Sequence, residues 1–326
     1  MARPLRIEFD GALYHVMSRG NERRPIVRDE ADRWRRIDWL RRTVETYRWR
    51  LHAFVLMTNH DHLFIETPAA NLSEGMQCLN GSYSGYFNAR HRRVGHLFQG
   101  RFKAQLVEQK GHYHEISRYL HLNPCRVRNH QVLTTSQLTK YSWSSYPGYH
   151  RATKKLEWVT YDRVLADFGP GSAAARRRRY RAFVRAGMAE SDESPLERAV
   201  QGLIVGSDRF VEQIRVRLDH RPSDATIREL NALQSKPELT QIIKAVHTQF
   251  NMRHARWQSG SRSDDASRAV AAYLARHRFG YPANVVAHVL GYGHASSVAH
   301  AVRRIRSSSQ ALRRTVRRIE KDLSPR

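Results

Sequence analysis

The chain has 326 residues, 40% of them hydrophobic, which suits two or three domains with a real core. Its 56 Lys and Arg outnumber 30 Asp and Glu, and a net charge of +26 exceeds what a solvated surface needs and calls for a polyanion, most simply nucleic acid. Two cysteines far apart, Cys78 and Cys125, exclude a disulfide framework and a cysteine zinc cluster. With no apolar leader at residues 1–9 and no apolar run near membrane-spanning length, a soluble cytoplasmic protein is expected.

Residues 12–17, Ala-Leu-Tyr-His-Val-Met, have strand composition. Residues 29–49 read as a helix capped by Asp29, with Trp34, Ile37, Leu40, Val44 and Tyr47 at helical spacing. Apolar runs at 51–57 and 60–66 read as two strands around Thr58-Asn59. After Pro68 and Asn71, a second helix covers 72–90, carrying Leu72, Met76, Leu79, Tyr83 and Phe87. A glycine-punctuated segment, Gly95-His-Leu-Phe-Gln-Gly-Arg-Phe-Lys103, leads to a strand at 104–108. A third helix runs over 113–123, ended by Pro124, because the residue before proline is pushed out of the helical region. The order β-α-β-β-α-β implies an α+β, ferredoxin-like antiparallel sheet with helices packed on it.

Composition shifts after Tyr149. Residues 151–195, with Lys154-Lys155 and Arg176 to Arg179, read as a basic connector. Residues 196–260 read as a helical region with Leu203, Ile204, Phe210, Val211 and Ile214 at helical spacing, then Ile242, Ile243, Val246 and Phe250. Gly260, Ser261 and Ser263 mark a linker. Three helices are expected in 261–326: 264–277 ended at Gly280, 282–290 stopped by Gly291, and 296–306. A basic tail with Arg313, Arg314, Arg317, Arg318 and Lys321 follows. A short helix, a glycine turn and a basic helix form a helix-turn-helix pattern. Residues 1–150 are then a first domain and 261–326 a duplex-binding one. Ser296, Ser297 and His300 stand near base edges, and Arg303, Arg304 and Arg306 near phosphates.

His60 and His62 are two apart on a strand, so both imidazoles project from one face. Such a pair can be structural or can hold a divalent metal. With 18 histidines, a His-x-His arises roughly once by chance, and His112-Tyr113-His114 is a second one. It lies at a helix start, where positions two apart do not share a face. Tyr119 and Asn123, four apart on the third helix, do share one. If that face packs over the histidines, a metal can sit between His60, His62 and the Asn123 carboxamide oxygen, with Tyr119 one turn away. A tyrosine hydroxyl, with a pKa of about 10 in model peptides, attacks phosphorus when a metal polarises the scissile phosphate. The product is a phosphotyrosine and a free 3′-OH. Glu66 shares the histidine face, as a tuning group or a surface residue.

Asn59-His-Asp-His-Leu-Phe-Ile65, Gly95-His-Leu-Phe-Gln-Gly-Arg-Phe-Lys103 and Arg118-Tyr-Leu-His-Leu-Asn-Pro-Cys-Arg126, in this order, resemble the REP-associated tyrosine transposases. These belong to the IS200-like single-strand transposase group of the HUH endonucleases. Arg3-Pro-Leu-Arg-Ile-Glu-Phe9, Gly11-Ala-Leu-Tyr-His-Val16 and Ser18-Arg-Gly-Asn21 extend the likeness across residues 3–150. The resemblance implies metal ligation by His60, His62 and Asn123, with Mg²⁺ or Mn²⁺ as cofactor. It also implies Tyr119 as nucleophile, forming a 5′-phosphotyrosine on hairpin or palindromic repeat DNA. Arg101 and Lys103 are DNA-binding candidates. Asp61 stands where the family usually has a hydrophobic residue, and strand alternation turns it to the face opposite the histidines. Residues 269–276 and 296–305 resemble the C-terminal DNA-binding domain of the replication initiator DnaA. That domain's base-reading charged residues are not reproduced at Gly293, His294 and Ala295, so its recognition sequence does not carry over.

The expected function is a metal-dependent single-strand DNA endonuclease and strand transferase, monomer or dimer. The alternative, motivated by Asp61, is a catalytically inactive sequence-specific DNA-binding regulator. An RNA-binding or RNA-cleaving protein is a third reading.

Overall fold

The first strand, β1 (Ala12–Arg19), lies in the middle of an antiparallel sheet and is buried over most of its length. In this computed structural model the described residues are 7–109, 111–126, 134–188, 194–200, 202–219, 237–252, 257 and 266–323. They fall into two units, Arg6–Glu197 and Arg198–Arg326.

In the first unit, α1 (Glu30–Thr46) connects β1 to β2 (Arg50–Leu56), which turns directly into β3 (His60–Thr67). Helix α2 (Leu72–Arg90) then leads to β4 (Lys103–Val107). The four strands run in the order β2-β3-β1-β4, with every neighbouring pair antiparallel. This is the ferredoxin-like βαββαβ arrangement, α+β as expected. The register sets Met17 opposite His62, Ser18 opposite Asp61, and His15 opposite both Phe64 and Gln105. One face of the sheet therefore carries His15, Met17, Arg19, His60, His62, Phe64 and Gln105.

The opposite face carries Asp61 and Leu63 and is covered by α1 and α2. Asp29 caps α1, its side chain accepting from the Asp32 amide. Ile37, Leu40 and Val44 are buried as expected, but Trp34 is 54% exposed and stacks edge-on against Trp143. The inward face of α1 is instead shared with two buried charges, Asp32 and Arg36. Asp32 pairs with Arg90 of α2 and with His91 just past its end, and Arg36 with Asp61 of β3. Hydropathy alone cannot assign paired charges to a core. Gly75 in α2 leaves room for Trp49, since a Cβ there would stand 2.1 Å from the indole ring.

Helix α3 (Tyr113–Leu122) packs on the histidine face, against β2 and β3. Pro124 does not push Asn123 out of the helical region: Asn123 has φ −50° and ψ −44°, and the chain continues as a 3₁₀ turn over Asn123–Cys125. Within the first turn of a helix the N–H that proline lacks would have no intrahelical partner, so Pro124 costs no hydrogen bond there. The Asn123 amide also donates to the Tyr119 carbonyl (2.9 Å), holding the turn.

Four further helices, α4 (Thr135–Leu138), α5 (Tyr146–His150), α6 (Asp162–Ala166) and α7 (Ala173–Ala186), complete this unit. The described residues of 151–195 are therefore part of the packed unit rather than a connector. The polyarginine run lies on α7: Arg178 and Arg179 are exposed, while Arg177 is buried with Tyr180 and Val184. Tyr180 reaches α3, sharing a 2.6 Å hydrogen bond with His121 and donating to Ser117 (3.1 Å).

In the second unit, Ile204–Val205 is extended rather than helical, because Gly202 turns the chain at φ +72° and Val200 bridges back to Ile204. Helices α8 (Asp208–Asp219), α9 (Leu239–Gln249) and α10 (Ala266–Tyr273) follow, α10 running into a π turn over Leu274–Arg278. The linker expected at 260–263 lies outside the described residues. Then come α11 (Ala283–Val289), α12 (Ala295–Arg306) and α13 (Gln310–Leu323). The basic tail is thus mostly a helix, with Val316 and Ile319 inward and Arg313, Arg314, Arg317, Arg318 and Lys321 exposed. Ile242 and Val246 of α9 share one core with α10 to α13, so 196–260 and 261–326 do not separate at a linker. Among the described residues no helix is long and apolar enough to cross a membrane.

Candidate active site

Strand β3 delivers His60 and His62 to one face, and α3 lies across that face with Tyr119 directed at them. The His60 and His62 rings are 5.0 Å apart, and the Tyr119 ring stands edge-on to His62 at 5.9 Å. A third imidazole, His15 of β1, joins them, 5.1 Å from His62 and 6.3 Å from Tyr119. His62 and His15 are buried, while His60 and Tyr119 are half-buried and open the cluster to solvent. Asn123 lies one helical turn beyond Tyr119. Its amide nitrogen is committed to the Tyr119 carbonyl, which leaves its carboxamide oxygen as the atom that could face a cation.

Burial sets the protonation of this cluster. It pushes His15 down to about 4, against a smaller upward pull from the Gln105 hydrogen bond. His60 is also lowered to about 4, first by burial and then by the Arg19 charge. His62 falls well below the ordinary range, again mainly by burial, with His15, His60 and Arg19 adding to it. All three imidazoles are therefore neutral at pH 7, and neutral imidazole is the form that binds metal.

The hydrogen bonds fit that role as well. His60 Nδ1 meets the Asn59 side-chain oxygen at 2.6 Å, and His62 Nδ1 meets His15 Nε2 at 2.8 Å. Occupied Nδ1 atoms leave Nε2 as the potential ligand on both histidines. Among the described residues no group of three or more His, Cys, Asp or Glu is arranged to hold a metal.

Asp61 is buried on the opposite face, where Arg36 donates to its Oδ2 from both Nε (2.9 Å) and Nη2 (2.6 Å). The Ser18 amide approaches Oδ1 at 3.3 Å. Arg36 is held in turn by Asn80 (2.7 Å) and lies over the Tyr83 and Phe98 rings. The departure at Asp61 is therefore an ion pair between the sheet and α1 on the face opposite the histidines, although its charge still pulls His60 upward against burial and Arg19. Glu66 is neither a tuning group nor a surface residue. It is buried and bonded to His52 (3.3 Å) and Arg50 (2.5 Å), and these bonds hold its carboxyl below the usual range.

The second His-x-His is drawn apart: His112 precedes α3 and lies 4.0 Å from Glu108, whereas His114 bonds Asp167 at 2.9 Å. Lys103 is exposed opposite Met17, on the histidine face, and Arg101 is exposed just before it.

Sequence reasoning missed His15, Gln105 and Arg19. The alternation of β1 sets His15, Met17 and Arg19 on one face, but nothing in one sequence says that this face meets β3 in this register.

Residues 9–123, which include every member of this cluster, match the family described as transposase IS200-like. These residues are similar to an IS200-like transposase domain. A solved structure of a REP-associated tyrosine transposase bound to a REP hairpin is also similar, at 16% identity and a TM-score of 0.38, over 53% of this chain and 96% of that one. A comparison with curated proteins gives no match.

On α12, Ser296, His300, Arg303 and Arg304 are exposed and Ser297 is half-buried. Arg306 departs from the expected outward position: it turns inward to His277, with contacts of 3.3 and 3.4 Å.

Proposed function

We propose that this protein is a metal-dependent single-strand DNA endonuclease and strand transferase, a transposase acting on hairpin or palindromic repeat DNA. The observation that carries the reading is the convergence of Tyr119 with His60 and His62 in a half-open cluster. His60, His62 and Asn123 would hold Mg²⁺ or Mn²⁺, which when bound supplies a Lewis acid for the scissile phosphate and offsets charge developing on its oxygens. Tyr119 attacks phosphorus through its hydroxyl oxygen and loses its proton. The bond to the 3′ oxygen breaks, and that oxygen takes up a proton to become a free 3′-OH. The 5′ end remains on Tyr119 as a phosphotyrosine, whose retained bond energy allows rejoining to another strand without ATP. Arg19, Lys103 and Arg101 supply positive charge for the DNA backbone around the cluster.

With Asp61 paired to Arg36 behind the sheet, the inactive-regulator reading loses the feature that motivated it. The second unit is proposed to bind duplex through the exposed side of α12, with the basic side of α13 as a further phosphate-binding surface. Positive charge serves an RNA backbone as well as a DNA one, and competition between DNA and RNA hairpins decides between them.

The reading is tested with labelled hairpin DNA and full-length protein. Mg²⁺ or Mn²⁺ should give a covalent protein–DNA adduct on a denaturing gel, and chelator should abolish it. Tight, salt-sensitive binding with no adduct under any divalent metal would instead establish the regulator reading.

A further inference from the structure

Each histidine of the cluster is bonded through Nδ1 to a group that is itself held from behind. On one side, the Asn59 amide nitrogen donates to the Arg23 carbonyl (2.9 Å), and its side-chain oxygen faces His60 Nδ1 at 2.6 Å. On the other, the Gln105 amide nitrogen donates to the Leu196 carbonyl (3.1 Å), and its oxygen faces His15 Nδ1 at 3.2 Å. His15 Nε2 then meets His62 Nδ1 at 2.8 Å.

The donor and acceptor roles along both chains follow from one fact. A main-chain carbonyl can only accept, so each amide must turn its NH₂ to the carbonyl and its oxygen to the imidazole. The oxygen can only accept, so His60 Nδ1 and His15 Nδ1 carry the protons. A neutral imidazole with its proton on Nδ1 has a lone pair on Nε2. His15 Nε2 must therefore accept from His62, which places the proton of His62 on Nδ1 as well.

We propose that Asn59, Gln105 and His15 are positioning residues that lock His60 and His62 in the Nδ1–H tautomer, leaving both Nε2 lone pairs for a divalent cation. The proposal rests on the reading of His60 and His62 as metal ligands. Sheet register builds it: His15 and Gln105 are directly opposed on β1 and β4, and His62 is the diagonal neighbour of His15 on β3. Outer groups that bond ligating histidines commonly change metal affinity by about 10- to 100-fold.

The test uses full-length, metal-free protein labelled with ¹⁵N-histidine, near neutral pH. Long-range ¹H–¹⁵N correlations of neutral imidazole distinguish the two tautomers, with signals assigned by their loss in His60→Ala and His62→Ala. His60 and His62 should each show the proton on Nδ1 alone. Gln105→Leu should turn His62, but not His60, into a mixture of tautomers, and Gln105→Glu, which keeps an acceptor for His15, should restore the single form. Mn²⁺ titration should follow the same order, with affinity about tenfold or more weaker in Gln105→Leu and recovered in Gln105→Glu. A wild-type His62 protonated on Nε2 would overturn the proposal, whether or not the variants fold. So would a Gln105→Leu protein with unchanged tautomer and Mn²⁺ affinity. If the tautomers behave as expected but wild type takes up no Mn²⁺, the metal reading fails while the relay stands.

Discussion

The chain contains two His-x-His triplets with the same spacing and opposite fates. His60 and His62 lie on a strand, converge within 5.0 Å and face Tyr119. His112 and His114 straddle the start of a helix and lean on separate carboxylates, Glu108 and Asp167. Spacing is identical in the two cases, so it decides nothing by itself. The period of the backbone decides, two residues in a strand against 3.6 in a helix. The middle residues repeat the lesson: Asp61 is thrown to the far side of the sheet, while Tyr113 packs beside His52 and Phe64 under α3.

The sharpest way to break this comparison is to exchange the fates. His60→Ala or His62→Ala should reduce hairpin cleavage to background, while His112→Ala and His114→Ala should change it by no more than about twofold, the scale of ordinary surface substitutions. If the second pair kills cleavage and the first does not, the active pair has been misassigned.

Asp61 separates structural from chemical loss across one strand. Removing one partner of a buried ion pair leaves an uncompensated charge, so Asp61→Ala should cost about 3–5 kcal/mol in denaturant unfolding. Cleavage per folded molecule should persist well below the melting temperature. A combined Asp61→Leu and Arg36→Met variant should recover much of the stability. Full stability with lost cleavage in Asp61→Ala would move Asp61 into the chemistry.

A smaller, graded effect comes from the helix that carries Tyr119. His121 lies on the other side of α3, bonded to Tyr180 and Ser145, and burial lowers it to about 3. Unfolded histidine takes up a proton below about pH 6.5, while the buried form stays neutral to lower pH. The unfolded state then binds more protons, so stability is complete above about pH 6.5 and falls as the pH drops toward 4. The slope is up to about 1.4 kcal/mol per pH unit for each such histidine, His15 and His60 included. Urea melts at pH 7.5 and 5 should show this loss, and His121→Leu should flatten it. Equal or greater stability at pH 5 would contradict the burial argument. Smallest should be Asn123→Ala, which should weaken Mn²⁺ affinity less than His60→Ala, because a neutral amide is the weaker ligand and water can replace it.

Much of the first unit was legible because its signals are periodic. Helix α2 begins and ends at the expected residues, and the two strands around Thr58-Asn59 carry the histidines as alternation requires. What escaped depends on partners distant in sequence. Trp34 looked like a core residue because Arg36 and Asp32 could not be known to find Asp61 and Arg90. Residues 151–195 looked like a connector because the arginine run of α7, of which Arg177 is itself buried, masked the inward Tyr180 and Val184. The basic tail hid a helix for the same reason, with Val316 and Ile319 spaced among five basic residues. His15 and Gln105 became visible only with sheet register, which one sequence does not specify.

The most direct test of the account is the identity of the residue that becomes linked to DNA. Tyr113, close by on α3, is the natural competitor. It is buried, and burial pushes its hydroxyl up to about 12, whereas Tyr119 is half-open beside the histidines. Hairpin DNA should be incubated with full-length protein and Mn²⁺, the adduct digested, and the modified peptide sequenced by mass spectrometry. The account predicts a nucleotide on Tyr119, an adduct lost in Tyr119→Phe with DNA binding retained, and an adduct kept in Tyr113→Phe. An undiminished adduct in Tyr119→Phe, or a nucleotide mapped to another tyrosine, would contradict it.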